Sequence, residues 1–111
     1  MEILSPKEIF EFACRMRLGL KEDEIAKRVD LVIDRLDLTE CQDQMVGGWM
    51  KRGISGGERR RTSIGHELIS EPALILLDEP TSGLDSQNAK RVIRQLRSEA
   101  DRGLSILATI H

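Results

Sequence analysis

The aliphatic run Ala73-Leu74-Ile75-Leu76-Leu77 gives way at once to Asp78-Glu79-Pro80. The run has strand length. Its continuous rather than alternating apolar character marks a strand covered on both faces, as in the middle of a parallel sheet. Each of its four large side chains, fully buried, contributes about 1.5–3 kcal/mol. Pro80 to Asp85 reads as a turn. Residues 86–102 read as a helix, with Ala89, Val92, Ile93, Leu96 and Ala100 on one face and Gly103 at its end. Leu104 to Ile110 is a second buried strand. Strand, helix and strand over this span make a βαβ unit with parallel strands and a right-handed crossover. Both carboxyl ends then lie on one sheet edge, where open α/β folds bind ligands. Asp78, Glu79 and His111 fall at that edge.

The first half reads as helices. Ser5-Pro6-Lys7-Glu8 is a helix start: a capping serine, a proline suited to the first turn, and a glutamate able to complete a capping box. Ile9, Phe10, Phe12, Ala13, Met16 and Leu20 follow at helical spacing, and Gly19 is a stop. A second helix starts near Glu22. Ile25, Val29, Val32, Ile33 and Leu36 form its apolar stripe, and Lys27, Arg28, Asp30, Asp34 and Arg35 a solvated face. Residues 37–54 are loop-rich, broken by Gly47-Gly48 and Gly53, with Trp49 as a packing anchor. Ser55-Gly56-Gly57-Glu58 repeats the capping-box spacing. It opens a third helix that must stop before Pro72.

Composition narrows the classes. The 111 residues make one small domain or part of a larger one, and 40% hydrophobic content argues against disorder. Seventeen basic and nineteen acidic residues leave a net charge of -2, so no global basic field gathers nucleic acid. Arg59-Arg60-Arg61 fans around a helix without interleaved aromatics and reads as a solvated or intersubunit face. Cys14 and Cys41 lack metal-site spacing and read as two reduced thiols. No apolar run reaches the roughly 18 residues of a membrane span.

Three groups carry chemistry. Adjacent carboxylates at a strand end call for a cation, and Mg2+ suits them because it keeps most of its waters while accepting one or two carboxylates. Asp78 would hold the ion through water, and Glu79 could polarise an attacking water. The start of the third helix offers outward N–H groups and the positive end of the helix dipole to an anion. Two glycines there allow close approach of a phosphate, and Ser55 adds a hydroxyl. His111 could hydrogen-bond a terminal phosphate or the attacking water. His66, within a helix, reads as structural.

These residues resemble the ATP-binding-cassette family. Ile54-Ser55-Gly56-Gly57-Glu58 looks like its signature motif, with Ile for the usual Leu and Glu for the usual Gln. Leu74 to Glu79 looks like Walker B with the catalytic glutamate, Ser82-Gly83-Leu84-Asp85 like the D-loop, and His111 like the switch histidine. The wording around both motifs is most similar to the white/pigment-type G subfamily of transporters. The resemblance implies an α/β fold: a partial P-loop NTPase (RecA-like) core with a parallel βαβ unit, plus an α-helical signature subdomain. Residues 1–71 would be that subdomain and residues 72–111 the C-terminal part of the core.

It also implies roles. Ser55, Gly56, Gly57 and Glu58 would bind, in trans, the ATP of a second nucleotide-binding domain in a homo- or heterodimer. Asp78 (for Mg2+), Glu79 and His111 would serve ATP on their own side, and Ser82, Gly83 and Asp85 would line the interface. No GxxxxGK[ST] occurs in the sequence, so the chain is expected to be an internal fragment without turnover of its own. The phosphate loop would precede it. A membrane domain would follow, placing the whole protein at the cytoplasmic face of a membrane. The expected function is ATP hydrolysis coupled to transport. A soluble cassette ATPase of DNA maintenance or translation is the alternative, and a non-catalytic fragment that binds a partner cassette is a third reading.

Overall fold

The structure, a computed structural model, describes residues 4–46 and 54–109. Gly47, Gly48, Trp49, Gly53, Ile110 and His111 lie outside the described residues. The elements run α1 (Pro6–Arg17), α2 (Glu22–Arg35), a 3-10 turn (Thr39–Cys41), α3 (Gly56–Leu68), β1 (Leu74–Asp78), α4 (Ser86–Asp101) and β2 (Ser105–Thr109).

Both capping boxes form. Ser5 Oγ accepts from the Glu8 N–H at 3.2 Å while Glu8 Oε1 accepts from the Ser5 N–H at 3.0 Å. Helix α1 ends just before Gly19, whose φ of +59° is a left-handed conformation that glycine adopts without a Cβ penalty. Helix α2 has no side-chain cap on Lys21, but Glu22, Asp23 and Glu24 place negative charge at its positive end.

One apolar cluster unites the helices with the sheet. Phe10 and Cys14 of α1, Ile25 and Val29 of α2, Ile64 of α3, Ile75 of β1 and Val92 of α4 are all buried in it. Helix α1 spends only part of its apolar surface there. Ile9, Phe10, Ala13 and Cys14 face inward, whereas Phe12 and Met16, expected in the same stripe, are 54% and 71% exposed. At 100° per residue Phe12 lies across the helix from Phe10, and the neighbouring helices cover one side only. Gly65 of α3 is required by close approach. A Cβ there would meet Phe10 Cζ at 2.5 Å and Leu36 Cδ1 at 2.8 Å.

The strands pair in parallel with Leu74 opposite Ser105 through to Asp78 opposite Thr109. Burial corrects the expectation that both strands are covered on two faces. Ile75 is buried and Leu77 and Ile106 pack on the cluster, but Leu74, Leu76 and Leu107 are 53%, 68% and 62% exposed. Side chains alternate across a strand, and among the described residues only one face of the sheet is packed against the core.

Cys14 and Cys41 are free and buried. Burial, reinforced by the Glu58 carboxylate, pushes the Cys41 thiol up to about 11, and burial raises Cys14 as well. Because the folded state favours the protonated thiol, the stability linked to Cys41 is fully present below the free value of 9.0 and is lost as pH rises through about 11. In the full-length protein at pH 8, iodoacetamide should label Cys41 about 100-fold more slowly before denaturation than after, by mass spectrometry. Gly65→Ala should lower the thermal midpoint. Overpacking against a buried ring costs about 1–3 kcal/mol, and the helix-propensity gain of up to ~1 kcal/mol offsets only part of it.

Candidate functional site

Parallel pairing brings the two strand ends together. The Glu79 N–H donates to Thr109 O at 3.0 Å, extending the ladder one step past Asp78. The Thr109 hydroxyl donates to Asp78 Oδ1 and accepts from the Glu79 N–H at 3.3 Å. Thr109 therefore fixes one carboxylate and the backbone of the next residue at once. Sequence reasoning passed over it. Its only signal is its position in the partner strand, opposite Asp78.

At Glu79 the strand conformation stops. Its φ is +48°, in the left-handed region that a non-glycine residue enters at a cost of about 1–3 kcal/mol when neighbours hold it there. Two overlapping turns follow: the Ser82 N–H donates to Glu79 O at 3.0 Å and the Leu84 N–H to Thr81 O at 3.2 Å. Gly83 takes a φ of +77°, and Pro80, within the first turn, is buried. Asp85 then caps α4, its Oδ1 accepting from the Asn88 N–H at 2.8 Å.

The second group is the start of α3. Ser55 Oγ accepts from the Glu58 N–H at 3.1 Å, and Glu58 Oε1 accepts from the Ser55 N–H at 2.9 Å. Glu58 thus turns back onto its own helix start. The Ser55 hydroxyl, which accepts on one side, still has a proton to donate outward. The two glycines differ. Gly56 is exposed, and a Cβ there would meet only Leu84 Cδ2, at an ordinary 3.5 Å. Gly57 is buried, and a Cβ would lie 2.5 Å from Asn88 Oδ1 and 2.8 Å from Asn88 Cγ. The space at Gly57 is therefore taken by α4 of the same chain, while Gly56 leaves its backbone open to an approaching anion.

Of the arginine run, read as a solvated or intersubunit face, Arg59 is exposed and Arg60 half-buried, but Arg61 is corrected to a buried residue, and all three tie to backbone carbonyls. Arg59 Nη2 donates to Val46 O at 3.1 Å, and Arg61 Nε donates to Leu36 O, at the end of α2, at 2.9 Å. Arg60 donates through Nη1 to Glu79 O and through Nη2 to Ser82 O, both at 2.9 Å. Arg61 is buried. Burial, and then the nearby Arg91, lower its pKa, while Asp37 and Glu58 act in the opposite direction. Arg28, expected on the solvated face of α2, is half-buried and donates to Ile69 O at 3.0 Å. Position 111 cannot be joined to this geometry, since His111 lies outside the described residues.

Residues 3–82 match the family model described as ABC transporter. This chain belongs to the ABC transporter family. Over 110 residues it is 49% identical to ABC transporter G family member 22 of Arabidopsis thaliana, covering 97% of this chain and 15% of that protein. It is 42% identical over 113 residues to the rat (Rattus norvegicus) broad substrate specificity ATP-binding cassette transporter ABCG2, covering 100% of this chain and 17% of that one. Thus the ABC transporter chain described here spans only about a sixth of the length of these relatives. A crystal structure of an ATP-binding cassette of an ABC transporter in its ADP conformation superposes with a TM-score of 0.77. That match covers 99% of this chain and 46% of the other at 19% identity, and it establishes the fold as part of a P-loop NTPase cassette. Among the described residues no helix is long and apolar enough to cross a membrane.

The packing at Gly57 generates a stability test. In the full-length protein Gly57→Ala should lower the thermal midpoint, at a cost below the about 1–3 kcal/mol of a rigid overpacked site, because the Asn88 amide can swing aside and alanine gains up to ~1 kcal/mol of helix propensity. Adding Asn88→Ala should recover part of the loss, because it removes the amide that the new methyl meets. Calorimetry of the two single variants and the double variant reads the coupling.

Proposed function

We propose that this chain is part of the ATP-binding and ATP-hydrolysing domain of a G-type transporter, coupling hydrolysis to movement of a solute across a membrane. The observation that carries the reading is the edge where β1 and β2 end together, with Asp78 held by Thr109 and Glu79 entering a pinned turn. The names of its relatives support a transporter over a soluble DNA-maintenance or translation ATPase.

In this reading Glu79 takes the proton of the attacking water, and His111 holds the terminal phosphate or that water. Ser55, Gly56 and Gly57 receive the γ-phosphate of ATP bound to a second cassette, with Glu58 holding the cap that orders them. Ser82, Gly83 and Asp85 line the interface between the two. Asp78 and the Thr109 hydroxyl give an all-oxygen donor set. Among the described residues no cluster of three or more His, Cys, Asp or Glu side chains forms a closed cage. Such a set fits Mg2+ shared with water and phosphate. The ion would supply charge neutralisation; Asp78 would hold it and Thr109 would orient Asp78.

Residues 1–71 act as the helical signature subdomain and 72–111 as the C-terminal part of the ATPase core. A membrane domain C-terminal to this chain places the assembly at the cytoplasmic face, and closure of two cassettes moves its helices.

In the full-length protein Glu79→Gln should reduce ATP turnover at least about 100-fold while ATP-dependent dimerisation persists, since the amide keeps the shape and loses the base. Phosphate release and sedimentation read the two effects. Undiminished turnover would remove Glu79 from the role of base. The 111-residue chain by itself, which contains no GxxxxGK[ST], should release no phosphate from ATP.

A further inference from the structure

Arg60 of α3 reaches across to both ends of the turn after β1. Its guanidinium presents donors in a rigid planar fork, and the two it uses meet Glu79 O and Ser82 O at 2.9 Å each. These carbonyls bracket the turn that the Ser82 N–H closes onto Glu79 O. The residue at its head is in the left-handed conformation, which persists only where the surroundings over-determine it. Thr109 holds the Glu79 N–H from one side and Arg60 holds the Glu79 carbonyl from the other. With its N–H and C=O both fixed, the direction in which Glu79 leaves the backbone is fixed too.

Arg60 lies five residues after Ser55, about 7.5 Å along the same helix from the start that faces an anion. A hydrogen-bonded helix of this length moves as a unit. We infer that Arg60 is a positioning residue for Glu79, and that it makes α3 a mechanical link between the Ser55–Gly57 helix start and the carboxylate at the end of β1. The inference rests on the role of Glu79 proposed above and deepens it. A phosphate gripped by Ser55 to Gly57 draws on α3, and through the Arg60 fork it sets the turn that aims Glu79. Hydrolysis on this chain thereby depends on whether the helix start is occupied.

The test uses the full-length protein with Arg60→Met, Arg60→Lys, Glu79→Gln and the double variant Arg60→Met/Glu79→Gln. Arg60→Met should lower kcat at least about tenfold and leave KM for ATP and ATP-dependent dimerisation within about twofold, since the fork touches the aim of the base and not the nucleotide. Arg60→Lys keeps the charge but cannot span two carbonyls, so its kcat should fall between the two. If Arg60→Met does not accumulate, the Lys variant carries the test alone. In the Glu79→Gln background Arg60→Met should bring no further loss of the residual single-turnover rate, because the group it aims is already gone.

An unchanged kcat in Arg60→Met, or in Arg60→Lys where that variant stands alone, with Glu79→Gln inactive, would overturn this inference and leave the proposed function standing. So would an equal loss from Arg60→Met in both backgrounds, which marks a general structural role. Full turnover in Glu79→Gln would overturn both.

Discussion

The structure depends on one helix whose polar side chains do the joining. Helix α3 carries few large apolar residues, yet α1, α2 and α4 pack on it and the turn after β1 is tied to it. Its three consecutive arginines sit about 100° apart and reach Val46, the Glu79–Ser82 turn and the end of α2. In each case an N–H of a permanently charged group meets a backbone carbonyl, a stronger bond than one between neutral groups. Gly57 and Gly65 leave room on α3 for side chains of its neighbours, Asn88 of α4 at the first and the Phe10 ring of α1 with Leu36 at the second. The arginines therefore fix orientation, and the glycines fix distance.

Arg61 shows what this arrangement costs. A charge taken out of water is destabilising by several kcal/mol unless it is well paired. Arg61 has 1% exposure, and among the described residues its Nη1 meets no partner. Its Nε lies on Leu36 O, where the dipole of α2 is most negative, and Asp37 and Glu58 add to the favourable field. The bond satisfies a carbonyl that the helix end would otherwise leave bare. It also holds the end of α2 to a fixed point on α3.

Local rules made much of the fold legible. Both capping boxes, the helix stop at Gly19, the presence of the two strands and their parallel pairing follow from residue types at short spacing. The apolar stripe of α2 was equally readable. What could not be read was which of several candidates a neighbour would take. The apolar run of α1 covers more surface than one neighbour can bury, so Phe12 and Met16 stayed out. Continuous hydrophobicity showed that β1 and β2 are strands, but it does not set register, and so the pairing of Thr109 with Asp78 lay hidden. The arginine run gave a fan and no targets, since Val46, Glu79 and Leu36 are brought to it only by tertiary packing. At the candidate site the placement of Asp78 at a strand end and of Ser55 at a helix start was legible in the sequence. The residues that support them, Thr109, Arg60 and Asn88, were not, because their contacts span up to 31 positions.

The two ends of the proposed site differ in sign, and this shapes how they can work together. The start of α3 attracts a phosphate directly, through backbone N–H groups and the helix dipole. The end of β1 repels one, through adjacent carboxylates, until a cation intervenes. In the proposed function a triphosphate would therefore meet α3 without an ion but would need one to settle beside Asp78 and Glu79. The Arg60 fork lies between these environments and bonds to carbonyls of the acidic turn. It brings two fixed donors to the backbone carbonyls of Glu79 and Ser82. In the proposed coupling Arg60 holds the geometry of the turn, and that one residue would link the arrival of a phosphate at α3 to the readiness of the carboxylate on β1.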